Sequence, residues 1–165
     1  MHKVLLLIAI AACGGTAPAK EQSVAAPAKT SVVELGELKF YAGADLGMQL
    51  HANGHLEVKT QSAWVDVGSV AADGTLSAPD GTQRGHITAD GSVIGPSGKT
   101  APFHLEGETL VVADRTFTID AKGLLQGGDV LQGPMRVEGA TTPGLKRTAL
   151  VVLATIMTSG HHAAD

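Results

Sequence analysis

Four histidines are the residues whose type and spacing could bind a metal: His51, His55, His86 and His104. His51 and His55 flank residues 52–54, so a hairpin turn there would bring their side chains opposite each other. His86 and His104 each precede an apolar strand residue, which places both in the alternate phase to the apolar face. Neutral imidazoles at cross-strand spacing can share Zn²⁺ or Cu²⁺. Solvated surface histidines explain the same pattern without a metal, and the sequence favours that simpler interpretation.

Two further motifs are better explained by turns than by ligand binding. Residues 95–100 resemble a phosphate-binding loop, but Val93 stands where that pattern needs glycine, and Pro102 disfavours the helix that should follow. Asp73, Asp80 and Asp90 each precede a glycine, as aspartates in turns commonly do, and their spacing is not that of calcium-binding nonapeptides.

No grouping of residues typical of catalysis is present in the sequence. A G-x-S-x-G motif is absent, and the acidic residues are too scattered to nominate a glycosidase pair. We therefore nominate no catalytic residue and expect no cofactor beyond the metal considered above.

The first thirteen residues combine a short basic start, the apolar run of residues 4–9 and the tetrapeptide Ile10-Ala11-Ala12-Cys13. This arrangement is typical of an export signal. The tetrapeptide resembles the lipobox of bacterial lipoproteins. The resemblance implies removal of residues 1–12 and diacylglycerol on the thiol of Cys13, which is the only cysteine and can form no internal disulfide.

Residues 13–31 are rich in Ala, Pro, Gly and Lys without an apolar period, which predicts an extended tether between the membrane and the domain. In the lipoprotein class, Gly14 at the second mature position implies sorting to the outer membrane, facing the periplasm, if the host is Gram-negative.

An internal repeat organises the remainder of the chain. Residues 68–81 align with residues 85–98 at an offset of 17, and the turn core recurs at 50–56 and 119–125. Each core reads apolar, any, Ala, Asp/Asn/Lys, Gly, any, apolar. A three-residue loop with glycine last is a type I turn followed by a left-handed glycine bulge. This geometry predicts three cross-strand pairs: Val70 with Leu76, Ile87 with Val93, and Leu50 with Leu56.

The repeat predicts an all-β domain over residues 32–158. Its strands of 4–7 residues would form an antiparallel meander from about Val32 to Val137, as a small barrel, a sandwich or an open strip. A helix at about 143–158 would cover it, N-capped by Thr142 and ended by Gly160, and its apolar character nearly all round predicts that it is buried. A final strand or a second membrane contact are the alternatives for this segment, and 159–165 would form a polar tail.

Composition argues against one class of partner but does not identify a function. The net charge of −4, the scattered basic residues and an aromatic content of 3% argue against nucleic acid as a partner. We expect a lipid-anchored envelope module that is non-enzymatic, with a structural or interaction role. Metal binding by the histidines and small-ligand carriage inside a closed barrel are the alternatives.

The lipobox generates the first prediction. Protein extracted from membranes should lack residues 1–12 and carry acyl chains on Cys13, and Cys13→Ser should abolish both changes and release the protein from membranes. Intact-mass spectrometry of the two forms measures this, and an unprocessed chain without acyl groups would contradict it.

Overall fold

A computed structural model describes residues 32–127 and 133–159, and these form one sheet and one helix. The predicted signal peptide, Cys13, the tether of residues 13–31, Gly160 and nearly all of the tail lie outside the described residues. The twelve strands of the described part are antiparallel, and each pairs with its neighbour in sequence. Their bounds are β1 Leu38–Ala42, β2 Asp45–Leu50, β3 His55–Lys59, β4 Trp64–Val70, β5 Thr75–Ser77, β6 Gln83–Ile87, β7 Ser92–Ile94, β8 Thr100–Glu106, β9 Thr109–Val112, β10 Arg115–Ile119, β11 Leu125–Gln126 and β12 Met135–Glu138, and the helix is α1 Pro143–Ser159.

The predicted three-residue turn is confirmed, and it is used more widely than the repeat indicated. In the loop between β4 and β5, the N–H of Gly74 donates to the carbonyl of Ala71 (2.9 Å), and the N–H of Ala71 donates to that of Thr75 (2.8 Å). The same two bonds close the loops at 51–55, 78–82, 88–92, 95–99 and 120–124. All three predicted cross-strand pairs are confirmed: Val70 with Leu76, Ile87 with Val93 and Leu50 with Leu56.

The turn glycines also bind the next hairpin along the sheet. Gly91 has φ of 91°, its carbonyl accepts a hydrogen bond from the N–H of Leu105 (2.9 Å), and a Cβ on it would collide with the Leu105 carbonyl oxygen. Three equivalent contacts join Gly54 to Val70, Gly74 to Ile87, and Gly123 to Val137. Only a residue without a side chain permits this approach in this backbone conformation.

The sheet curls into a nearly closed barrel. β12 pairs with β1, and a single antiparallel bridge between Leu124 and Arg136 brings the other end of the sheet to β12. Closure removes most of the exposed strand edge, which would otherwise offer unpaired backbone groups. Of the architectures left open by the sequence, the barrel is therefore the one adopted.

The helix lies inside the barrel. The hydroxyl of Thr142 accepts from the N–H of Leu145 (3.1 Å), which confirms the predicted N-cap, and α1 begins at Pro143. All six residues from Ala149 to Ala154 are at most 3% exposed. Since successive helical residues point about 100° apart, six buried in a row leave no direction open to solvent. The predicted burial is confirmed for residues 148–154, the middle of the helix, and the alternative of a final strand is wrong.

Within the described ranges no helix is both long and apolar enough to cross a membrane.

The start of the meander and the length of some strands differ from expectation. The first strand begins at Leu38 rather than near Val32, because the preceding segment is held by the helix: the Glu34 carbonyl accepts from the Thr148 hydroxyl (2.7 Å), and Gly36 lies against Leu145. Two strands have three residues and one has two, shorter than the predicted minimum of four. These strands are short because turns follow one another closely along the chain.

The glycine contacts generate a matched pair of substitutions. Gly91→Ala should lower the free energy of unfolding by about 3 kcal/mol or more, because it adds a backbone collision to the cost of a left-handed alanine. Gly81→Ala should cost only about 1–2 kcal/mol, because Gly81 is also left-handed (φ 82°) but has nothing within 4 Å of its Cβ position. Urea unfolding measures both, and equal losses would contradict the role assigned to the contact.

Candidate functional site

A cleft of about 330 Å³ lies between the C-terminal half of α1 and one wall of the barrel. The wall is formed by β3, β4, β5 and β6, and α1 contributes residues from its last two turns. The lining is mostly apolar, with a few residues that carry polar groups. It consists of Leu56, Val58, Val67, Ser69, Val70, Leu76, Ser77, Arg84, Val152, Thr155 and Ile156.

The cleft exists because the helix does not fill the barrel evenly. α1 packs closely against β8, β9 and β10, where large side chains such as Phe103 and Phe117 are buried. The opposite wall carries Val and Leu side chains, which reach less far toward the helix axis. Val58, Val67 and Ile156 are only partly buried there, so this gap is open to solvent on one side.

Two β-bulges direct additional side chains toward the cleft. Leu56 lies opposite Gly68 while Glu57 lies opposite Asp66, so Val67 is the extra residue of β4. The same irregularity recurs between β5 and β6, where Leu76 lies opposite Gly85 and Ser77 opposite Gln83, so Arg84 is the extra residue of β6. Bulges change the direction of a side chain relative to strict alternation. Val67 and Arg84 both line the cleft as a result.

Arg84 is the one cationic residue among the described residues that line the cleft. It is exposed, so its guanidinium stands at the mouth. No hydrogen bond or ion pair within 4.0 Å joins it to another residue of the described part. The nearby carboxyl of Asp80 has a lowered pKa, chiefly because it accepts a hydrogen bond from the N–H of Thr82 (2.9 Å) and to a smaller extent because of the Arg84 charge. The Asp80 carboxylate thus accepts its hydrogen bond within its own turn. The guanidinium N–H groups of Arg84 remain available to a ligand.

Three of the four candidate histidines each lie beside a separate carboxylate. His51 Nε2 lies 2.9 Å from Glu57 Oε2, and the side-chain amide of Gln49 donates to the same carboxylate (2.6 Å). The other two pairs are His55 Nδ1 with Asp66 Oδ2 at 3.6 Å and His104 Nε2 with Glu106 Oε1 at 3.0 Å.

The sheet also separates the histidines from one another. His55 is on β3, His86 on β6 and His104 on β8, so three strand intervals, about 14 Å, separate the first two. Over residues 32–127 and 133–159, no group of three or more His, Cys, Asp or Glu side chains could hold a metal ion. Metal binding by His51, His55, His86 and His104 stays a prediction of the sequence.

The motifs attributed to turns are confirmed as turns. Residues 95–99 form the same closed loop as the other hairpins, with Gly98 N–H donating to the Gly95 carbonyl (3.0 Å), and β8 follows where a phosphate-binding loop needs a helix. The carboxylates of Asp73 and Asp80 accept from the N–H groups of Thr75 and Thr82 at 3.1 and 2.9 Å.

Sequence reasoning did not single out Arg84, although the repeat contains a signal for it. At the 17-residue offset, Arg84 aligns with Val67, so a charged residue stands where the preceding copy has an apolar one. Only the bulge shows that both positions line the cleft.

Comparison with protein-family models, with curated proteins and with solved structures finds no match to this chain. A function is therefore inferred from the structure itself, in which this cleft is the more apolar of two clefts in the described part of the chain.

The pair of His51 and Glu57 generates a pH prediction. The hydrogen bond from His51, followed by that from Gln49, holds the pKa of Glu57 below its ordinary value. Because the folded pKa lies below the unfolded one, the interaction contributes stability above the unfolded pKa and loses it as the pH falls through the folded pKa. His51→Ala should raise the Glu57 pKa toward its ordinary value in an NMR titration, whereas His104→Ala should leave it unchanged. An unaltered Glu57 titration in His51→Ala would show that the hydrogen bond is absent in solution.

Proposed function

We propose that this protein is a lipid-anchored, envelope-facing binding module that holds a small apolar molecule between α1 and the wall of its barrel. The observation that carries the proposal is the cleft of about 330 Å³ with a largely apolar lining. Ligand sites in proteins are typically concave, mostly apolar, carry few polar groups and measure about 300–1,000 Å³. The cleft has each of these properties.

Burial of apolar surface supplies the driving force for such a ligand. Apolar area removed from water is worth roughly 25 cal/mol per Å², so a molecule with a short hydrocarbon chain gains several kcal/mol by filling the cleft. Val58, Val67 and Ile156 are partly exposed and would lose this exposure when a ligand binds.

The position of the cleft fits attachment by the N-terminus. Residues preceding β1 run past the first turn of α1, where the hydroxyl of Thr142 donates to the Glu34 carboxylate (2.7 Å). The cleft begins near Val152, about 12 Å farther along the helix axis from Gly144. Glu34 therefore lies toward the end of α1 that is away from the cleft. The lipobox resemblance of residues 10–13 supports this part of the proposal.

The structural or interaction domain that the sequence favours would have a different interior from that of a carrier. Such a domain requires a solid core and no sizeable cavity, because its partner binds the outer surface or a strand edge. The cleft favours the carrier over this alternative, and binding measurements discriminate between the two.

The test uses N-phenyl-1-naphthylamine, a neutral probe whose fluorescence rises in apolar surroundings. The protein should bind it at one saturable site, and Val67→Phe should weaken binding about tenfold or more by filling the cleft. Val65→Phe is the matched control, because Val65 lies on the same strand, is 44% exposed and does not line the cleft.

Absence of saturable binding by the unmodified protein would contradict the proposal and leave the interaction domain as the better one. If Val67→Phe and Val65→Phe bind the probe equally well, the probe binds elsewhere on the protein. That result would also contradict the proposal. Circular dichroism of each variant confirms that a loss of binding does not reflect unfolding.

A further inference from the structure

The mouth of the cleft combines a cation with an apolar floor. The guanidinium of Arg84 is exposed, without a hydrogen-bonding partner in the described part of the chain, and belongs to a residue that lines the cleft. Beyond it the lining toward α1 is formed by Leu76, Val152 and Ile156. We propose that the ligand is an amphiphilic monocarboxylate of the fatty-acid type, with its chain along α1 and its carboxylate on Arg84. This inference rests on the proposed function, since it names the ligand class of the same cleft.

The chemistry of the guanidinium points to a carboxylate. Its donors form a planar fork that matches the two oxygens of a carboxylate, and such charge-assisted pairs are stronger than neutral hydrogen bonds. An alcohol or ester of the same chain length could accept only a weaker bond at this position. The methylene stem of an arginine can also cover apolar surface while its head stays in water, which suits a residue at the edge of an apolar cleft.

The charge at the mouth points to a single negative charge on the ligand. Arg84 is the one cation among the described lining residues, and the ionised Asp80 lies close enough to interact with it. A monoester phosphate carries up to two negative charges, and its second charge would meet Asp80 without a second cation to balance it. The site is therefore matched to a monoanion.

The repeat adds an independent reason to assign Arg84 to a ligand. The two bulges have equivalent registers, and the first carries the apolar Val67 at the position where the second carries Arg84. An arginine without a hydrogen bond or an ion pair within 4.0 Å at the second bulge contributes little to folding, because its interaction with Asp80 is a minor one. Binding of an anion explains its presence.

The test compares three molecules with the same chain: decanoate, decanol and decyl phosphate. Each displaces N-phenyl-1-naphthylamine from the full chain at about pH 8, where the carboxylate is ionised, and below its critical micelle concentration. Decanoate should displace the probe about 1.5–5-fold more tightly than decanol at low salt, the range expected for an exposed charge pair, and added salt should reduce the difference. Decyl phosphate should bind no more tightly than decanoate.

Substitutions identify the residue responsible. Arg84→Gln should abolish the preference for decanoate over decanol, measured as the ratio of the two displacement constants within each variant. Arg84→Lys should retain part of the preference, because it keeps the charge but not the planar fork. Arg115→Gln is the matched control, since Arg115 is exposed on β10 and does not line the cleft, and it should retain the full preference.

The outcomes separate this inference from the proposed function. Equal displacement by decanoate and decanol, or a preference that survives in Arg84→Gln, would overturn the inference while the cleft still binds apolar molecules. Tighter displacement by decyl phosphate would overturn the choice of a monocarboxylate. Failure of the unmodified protein to bind the probe would overturn the proposed function itself.

Discussion

The close contact between a left-handed turn glycine and the backbone of the next strand is the constraint on which the barrel depends. At Gly54, Gly74, Gly91 and Gly123 the turn carbonyl accepts a hydrogen bond from the following hairpin, and the Cα lies against a carbonyl oxygen that excludes any side chain. Each contact sets the position of one hairpin relative to the next. The repeated contacts stack short hairpins in a constant register, which lets strands of only two to seven residues form a continuous wall.

The curvature of that wall determines how the apolar helix is buried. A single sheet would bury only one side of α1, yet Leu150, Val151 and Val152 are each at most 1% exposed. The barrel surrounds the middle of the helix, which buries both the inner face of the sheet and the surface of the helix there. A straight helix inside a wider barrel packs best against one wall, here β8 to β10, and the cleft on the other side follows from that displacement.

The two kinds of candidate site differ in how far the sequence could predict them. The alternation of strand residues placed His51, His55, His86 and His104 on the face of the sheet opposite to the apolar one. It did not determine how far apart the strands that carry them lie. That distance follows from the strand order, which separates His55 and His86 by three intervals. Arg84 could not be assigned from strict alternation, because a bulge interrupts the alternation at that residue and directs its side chain to the cleft.

By itself the sequence determined the features that depend on neighbouring residues. These include the three-residue turns and the pairs Val70 with Leu76 and Ile87 with Val93, because the turn type sets the register of the strands beside it. They also include the start of α1 at Thr142 and Pro143, since capping acts within a single turn. Only the tertiary structure decided that the meander closes, that the helix lies within it and that a cleft remains beside Arg84. Those features depend on contacts between residues far apart in the chain, such as β1 with β12 and Glu34 with Thr148, whose pairing no local pattern specifies.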